Sequence, residues 1–347
     1  MNKVLIIEFN NYHEEVILPQ VEFLNAEKIE AHLYINSDIV KKNIDLKYSY
    51  VNKITAKNKF TKLSSIFSIL YYIKKNQIDT VIFNTLNCKY VSILNTFLSK
   101  KLKKIAIVHN VDTFEKNSLN LKNFFVLSEN ILKNVKRKYT NKYSFSYFYP
   151  LMYNVQTFES SNSLKLKVVI PGLVEFSRRD YLGLLSILKD TTLNNIEFII
   201  LGDIDKLDGA IVYKKIQEYN LENVVHVYHG FVPYDLYFNI LKTADLIMPL
   251  IHPDIENFEK YHTTKITAAF SMAFSFKIPL LLYSSLNKLN EFKKYSAGYD
   301  METLALILQQ LDKKKLQYLS ENMKNSEKFT FEYQRRNYID FIGDNNE

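Results

Sequence analysis

The sequence predicts an α/β protein built from two parallel-sheet domains. Short apolar runs of strand type alternate with helix-like segments along the chain. That alternation stalls once, between Ser144 and Ser163, and then restarts. At 347 residues the chain also exceeds what one hydrophobic core usually organises.

In the first half the apolar runs place strands at 3–9, 31–35, 80–83, 104–108 and 124–127. Helices fit 14–28, 60–75, 90–98 and a segment from Ser128, a good N-cap, to about residue 138. Pro150 and the polar stretch 159–163 block regular structure, so the domain boundary is set there, with a first domain over 1–155 and a second over 156–330. In the second half strands are expected at 167–170, 197–201, 224–228, 245–250 and 278–283. Helices fall at 180–188, 210–219 and after Pro233, and more helices fill the rest of the chain. The same βα logic runs twice, which is the pattern of two Rossmann-like domains facing each other across a cleft.

Composition narrows the chemistry. A net charge of +8, spread along the chain, favours anionic ligands or an anionic membrane surface and does not single out nucleic acid. One cysteine, Cys88, excludes an internal disulfide framework and a four-cysteine metal site, and it fits a reducing cytoplasm. No apolar run approaches the ~20 residues needed to span a bilayer, so a cytoplasmic protein, peripheral at most on the inner face of the membrane, is expected. All seven glycines lie in the second half, and neither G-x-G-x-x-G nor G-x-x-x-x-G-K-[ST] occurs. Phosphate chemistry is therefore expected where the backbone can turn tightly.

The stretch from His262 to Tyr283 suggests how. Thr263 or Thr264 can cap a helix whose core face is Ile266, Ala269, Phe270, Ala273 and Phe276. With Lys265 in its first turn, the free amides of such a helix form an anion site; the plain alternative is a capped core helix with a solvated lysine. Ligands of open α/β sheets collect at the carboxyl ends of strands, which directs attention to Gly172–Arg179, Gly202, Asp203 and His229–Phe231. Arg178 and Arg179 suit a diphosphate because guanidinium groups bond two oxygens at once, or else they are a solvated helix start. Gly230 would let backbone atoms meet a nucleobase edge between His229 and Phe231.

Here the sequence resembles a family. Pro171-Gly-Leu-Val-Glu-Phe-Ser-Arg-Arg-Asp-Tyr181 looks like the first turn of the nucleotide domain in GT-B glycosyltransferases. Ile200-Leu-Gly-Asp203, then Val225-His-Val-Tyr-His-Gly-Phe-Val232 with Ala244, Asp245 and Pro249, resemble the segments that follow. The likeness covers residues 166–285 and points to the retaining, nucleotide-sugar-dependent 1/4-like group. It implies transfer from a UDP- or GDP-linked sugar to a saccharide, glycan or lipid-linked acceptor in bacterial cell-surface polysaccharide biosynthesis. It also implies a cleft that closes over the donor, no bound metal, and a helix within 331–347 that crosses back to the first domain. Donor-site residues would be Gly172, Arg178, Arg179, Asp203, His229, Gly230, Phe231, Thr263, Thr264 and Lys265. His109 stands where retaining members contact the donor sugar, and His13 where inverting members keep a base, so stereochemistry stays open. The family's acidic pair seven residues apart is replaced by Lys265 and Met272, which leaves Glu256 or Glu259 as substitutes for ribose recognition. An epimerase of the same fold and a non-catalytic subunit are the alternatives. Residues 57–75, basic at both ends and aromatic between, are assigned to the core of the first domain, with an anionic membrane surface as the other reading.

Overall fold

The computed structural model describes residues 2–41, 50–55, 59–86, 88–114, 121–139, 142–153 and 165–344. It divides into two compact units, one of Met1–Leu151, Thr264–Ile266 and Thr330–Glu347, the other of Met152–Thr263 and Thr267–Phe329. The sequence boundary at 155/156 lies outside the described residues.

The first unit holds a seven-stranded parallel sheet. Its strands are β1 (Lys3–Glu8), β2 (Glu30–Asn36), β3 (Val51–Ile54), β4 (Thr80–Phe83), β5 (Lys103–Val108), β6 (Asn123–Val126) and β7 (Ser144–Tyr147), ordered β3-β2-β1-β4-β5-β6-β7. Central strands are near-continuous apolar runs, such as Val4–Ile7, because parallel sheets are covered on both faces. The edge strands differ. β3 buries only Ile54, and Ser144 opens the alternating strand β7 where the sequence suggested an irregular linker. A strand with one neighbour needs little apolar pattern, so both escape a search for apolar runs.

The helix Phe331–Gly343 belongs to this unit. Thr330 caps it by accepting from the Tyr333 amide, and the buried Tyr338 stacks on Phe125 with centroids 4.9 Å apart. Its hydroxyl donates to Gln20 Oε1 at 3.1 Å, while Gln334 Oε1 accepts from the Tyr149 amide at 2.9 Å.

The second unit holds a six-stranded parallel sheet: β8 (Leu166–Pro171), β9 (Ile196–Asp203), β10 (Val225–Tyr228), β11 (Leu246–Ile247), β12 (Leu280–Tyr283) and β13 (Ser296–Tyr299). Their order is β10-β9-β8-β11-β12-β13. Val168, Ile170, Phe198, Ile200, Leu246 and Leu281 join its core. The strand expected over 245–250 is only two residues long. Pro249 lacks an N–H for the ladder, and Leu250, at φ 55°, turns the chain. β13, Ser-Ala-Gly-Tyr, is too small-sided to read as a strand from sequence. In each sheet the order reverses once, between β1 and β4 and between β8 and β11. Those two reversals are the topological switch points at which ligands of such sheets bind.

Candidate active site

At the first switch point a buried polar network converges on Asn84, just beyond β4. Its side-chain N–H groups donate to Glu8 Oε2 (2.9 Å) and to the His13 carbonyl (3.1 Å), and its Oδ1 accepts from Gln20 Nε2 (2.9 Å). The Asn84 carbonyl accepts from His109 Nε2 at 2.7 Å. Glu8, last residue of β1 and 1% exposed, also accepts from Thr85 Oγ1 and the Asn10 amide. Burial pushes the Glu8 carboxyl above its ordinary pKa, against the pull of these donors.

The structure brings His13 and His109 together: the rings stack with centroids 3.7 Å apart and 21° between planes. His13 precedes the helix Glu14–Ala26 in a left-handed conformation, φ 70°, an arrangement that stores backbone strain. Its carbonyl is fixed by Asn84 and its Nδ1 donates to Glu15 Oε1 at 3.3 Å. Nε2 of His13 is thereby left as the basic nitrogen. Burial would raise the Glu15 carboxyl, but the contact with His13 outweighs it and the net direction is downward. Burial and the neighbouring His13 lower His109 to about 3, so it is neutral at pH 7 with the proton on Nε2. Nitrogen-detected NMR of His109 should therefore show an Nε2–H tautomer that does not titrate between pH 8 and pH 5, about two units above that value. A titration near 6.5, the ordinary value, would contradict this geometry.

At the second switch point Arg179 closes the turn after β8. Nη2 donates to the Pro171 carbonyl (2.6 Å) and Nη1 to that of Leu173 (3.0 Å). The side chain is 6% exposed, with Nε buried and no hydrogen-bond partner among the described residues. Gly172 makes room, because a Cβ there would stand 2.7 Å from Nη2 and its φ is +104°. A Cβ on Gly202 would stand 2.1 Å from the Gly172 carbonyl oxygen, so both positions require glycine. Arg178 instead reaches outward and pairs with Glu175 at 2.6 Å. The two arginines thus separate into a buried cation and a half-exposed one, and the reading of both as a solvated start fails for Arg179. Asp180 caps the helix Tyr181–Lys189 through the Gly183 amide and accepts from His252 Nδ1 at 2.8 Å. Although burial raises its pKa, His252 and that amide bring the net direction down. His252 Nε2 accepts from the Tyr299 hydroxyl.

The Gly230 amide, at a residue with φ +77°, donates to Asp203 Oδ1 (3.0 Å) and Asp205 Oδ2 (3.1 Å), and His229 Nδ1 to Asp205 Oδ1 (2.8 Å). That amide is already engaged, so a base edge cannot rely on it. Phe231 is 66% exposed. Glu256 and Glu259 are exposed as well.

The helix expected to start at Thr263 or Thr264 begins at Ala268. Thr267 caps it by accepting from the Ala269 amide, Thr263 ends a preceding helix, Phe258–Thr263, and Lys265 is not in the first turn. Thr264–Ile266 belongs to the first unit: Lys265 forms an antiparallel bridge with Asn110, and the Val111 amide donates to the Thr264 carbonyl at 3.1 Å. This extended pairing competes with helix and wins over the three residues. Glu8, Asn84, Thr85 and Glu15 were not marked by sequence. The available signals were a carboxylate closing an apolar strand and Asn-Thr directly after another. Among the described residues no group of three or more His, Cys, Asp or Glu side chains is placed to hold a metal ion.

The fold matches solved structures over its whole length. A glycosyltransferase from Rickettsia africae superposes with a TM-score of 0.70 at 14% identity, covering 100% of this chain and 99% of that one. HepE of Anabaena, in complex with UDP and glucose, gives 0.72 at 12% identity over 99% and 100%. The chain has the GT-B fold. A neighbour of another activity, UDP-GlcNAc 2-epimerase from Neisseria meningitidis bound to UDP-GlcNAc, gives a TM-score of 0.62 at 13% identity over 98% of this chain and 99% of that one. No protein-family model matches the sequence, and neither does any curated protein.

Proposed function

We propose that this GT-B protein transfers a sugar from a UDP- or GDP-linked donor to a saccharide, glycan or lipid-linked acceptor in cell-surface polysaccharide assembly. The observation that carries the reading is the buried Arg179 at the second switch point, a cation with no carboxylate partner among the described residues. A site of that kind favours a diphosphate, and structural neighbours in complex with UDP and UDP-GlcNAc support it. In this proposal the second unit holds the nucleotide and the first the acceptor, with peripheral contact at an anionic membrane on the cytoplasmic side.

The chemistry follows from the residues. The acceptor hydroxyl loses its proton to His13 Nε2 while Glu15 steadies the imidazolium that forms. The acceptor oxygen bonds to the anomeric carbon, and the bond to the diphosphate breaks with its electron pair leaving on the diphosphate. Arg178 and Arg179 of the second unit meet that charge in place of a metal. Neutral His109, its Nε2–H committed to Asn84, presents a lone pair at Nδ1 to a sugar hydroxyl. The epimerase reading is favoured by the UDP-GlcNAc 2-epimerase neighbours and requires no acceptor.

Arg178 gives the test. Arg178→Ala should weaken nucleoside diphosphate binding about tenfold, as a lost charged hydrogen bond does, with nucleoside monophosphate affected less and the melting temperature unchanged. Titration calorimetry with UDP, UMP, GDP and GMP reads this directly. Unchanged diphosphate affinity would return Arg178 to a solvated helix start.

A further inference from the structure

Beside His13, at the strand ends of the first switch point, stand side chains that the transfer chemistry does not use. Tyr12 meets the His13 ring edge-on, with centroids 4.7 Å apart and 84° between planes, and is 48% exposed. Phe9, buried just past β1, stacks on the half-buried Tyr90 at 5.7 Å. Lys62 Nζ lies 5.5 Å from the centre of the Tyr90 ring, and no carboxylate among the described residues pairs with it. Lys62 belongs to the helix Lys59–Asn76, whose assignment to the core holds for the buried Ile66 and Ile69 and fails for the exposed Phe60, Phe67 and Tyr71. Glu8 and Cys88 are within electrostatic reach of Tyr12, and Glu8 and Lys62 within that of Cys88, so these side chains gather round one place. In the turn between Phe9 and Tyr12, Asn10 Nδ2 is buried without a hydrogen-bond partner among the described residues.

An exposed aromatic ring next to a general base suits a pyranose, whose C–H face packs on the ring while its hydroxyls point elsewhere. A buried amide donor without an acceptor is costly until an oxygen meets it. The charge narrows the ligand further. Glu8 is committed within its own network: Oε2 accepts from Asn84 and Thr85, and Oε1 from the Asn10 amide. The Lys62 ammonium is left to an anion from outside, held in place meanwhile by the face of Tyr90. We propose that Tyr12, Asn10, Tyr90 and Lys62 form an acceptor subsite for a saccharide carrying an acidic group. Its pyranose face rests on Tyr12, a ring hydroxyl meets Asn10 Nδ2, and the carboxylate or phosphate meets Lys62. This rests on the transfer reading, because it names the class of that reaction's acceptor.

Saturation-transfer NMR of the full chain with methyl glycosides, in the absence of any donor, tests it. The panel holds gluco- and galacto-configured hexuronides, hexoside 6-phosphates and their neutral parents. One acidic class should bind at least about tenfold more tightly than its neutral parent, as a charged hydrogen bond provides, and the preference should weaken with salt. Whichever class binds tells a carboxylate from a phosphate. Lys62→Gln should remove the preference, and Tyr12→Ala should weaken acidic and neutral glycosides alike by about tenfold, with the melting temperature unchanged in both. Equal binding of acidic and neutral glycosides, a preference that survives Lys62→Gln, a Tyr12→Ala variant that binds as wild type does, or no binding of any glycoside would each overturn the proposal. The expected binding without transfer from any donor would keep the subsite and reject the transfer reading. Transfer to neutral glycosides with no acidic preference would do the reverse.

Discussion

Replacing Arg179 by alanine is expected to lower the melting temperature by about 6–12 °C, taking about 3 kcal/mol and roughly 2–4 °C per kcal/mol for a domain of this size. The guanidinium bridges two carbonyls of the turn after β8, Pro171 and Leu173, and it is almost fully buried. Alanine leaves both acceptors unpaired and opens a void above Gly172. Lysine is a poor substitute, because one ammonium cannot span two carbonyls as a planar fork does. Thermal unfolding with and without UDP separates the roles. Lower stability together with weaker nucleotide binding is the expected result. Unchanged stability with lost affinity would mean that Arg179 serves the ligand alone.

Asn84→Asp is expected to be the most damaging conservative change in the first unit. The substitution is isosteric, but it replaces a donor to Glu8 Oε2 and to the His13 carbonyl with an oxygen that repels both. Two lost donors beside a second buried carboxylate should cost about 4 kcal/mol, or roughly 8–16 °C. The pH dependence carries the signature. Facing carboxylates raise each other's pKa, so lowering the pH returns a proton to the pair and restores a donor. The gap in melting temperature between variant and wild type should therefore narrow as pH falls from 8 toward 5. A gap independent of pH would mean that Asn84 does not contact Glu8 as described.

The fold class was legible because buried parallel strands such as Val4–Ile7 and Phe198–Leu201 are unbroken apolar runs. Edge strands β3 and β7 gave no such run, and Gly298 hid β13. His13 and His109 could be found by looking just past strand ends, but their stacking could not. It depends on Asn84, whose bond to Glu8 spans 76 residues. The helix start was misplaced for a comparable reason. Thr263, Thr264 and Thr267 have the same capping chemistry, and only the bridge from Asn110 to Lys265 makes the residues before Thr267 extended. Arg178 and Arg179 were marked as a pair because sequence spacing cannot tell a side chain folded back over its own turn from one facing out.

The most direct measurement is the fate of a labelled nucleotide sugar incubated with the pure protein and a panel of saccharide and lipid-linked acceptors. Release of free UDP or GDP, coupled to label on the acceptor, is the predicted result. His13→Ala should slow it by about 100-fold or more, as loss of a general base does, with nucleoside diphosphate affinity retained. Interconversion of the sugar with the nucleotide still attached would contradict transfer and make the protein an epimerase. Binding without turnover of any donor, alongside tight association with a partner transferase, would make it a non-catalytic subunit.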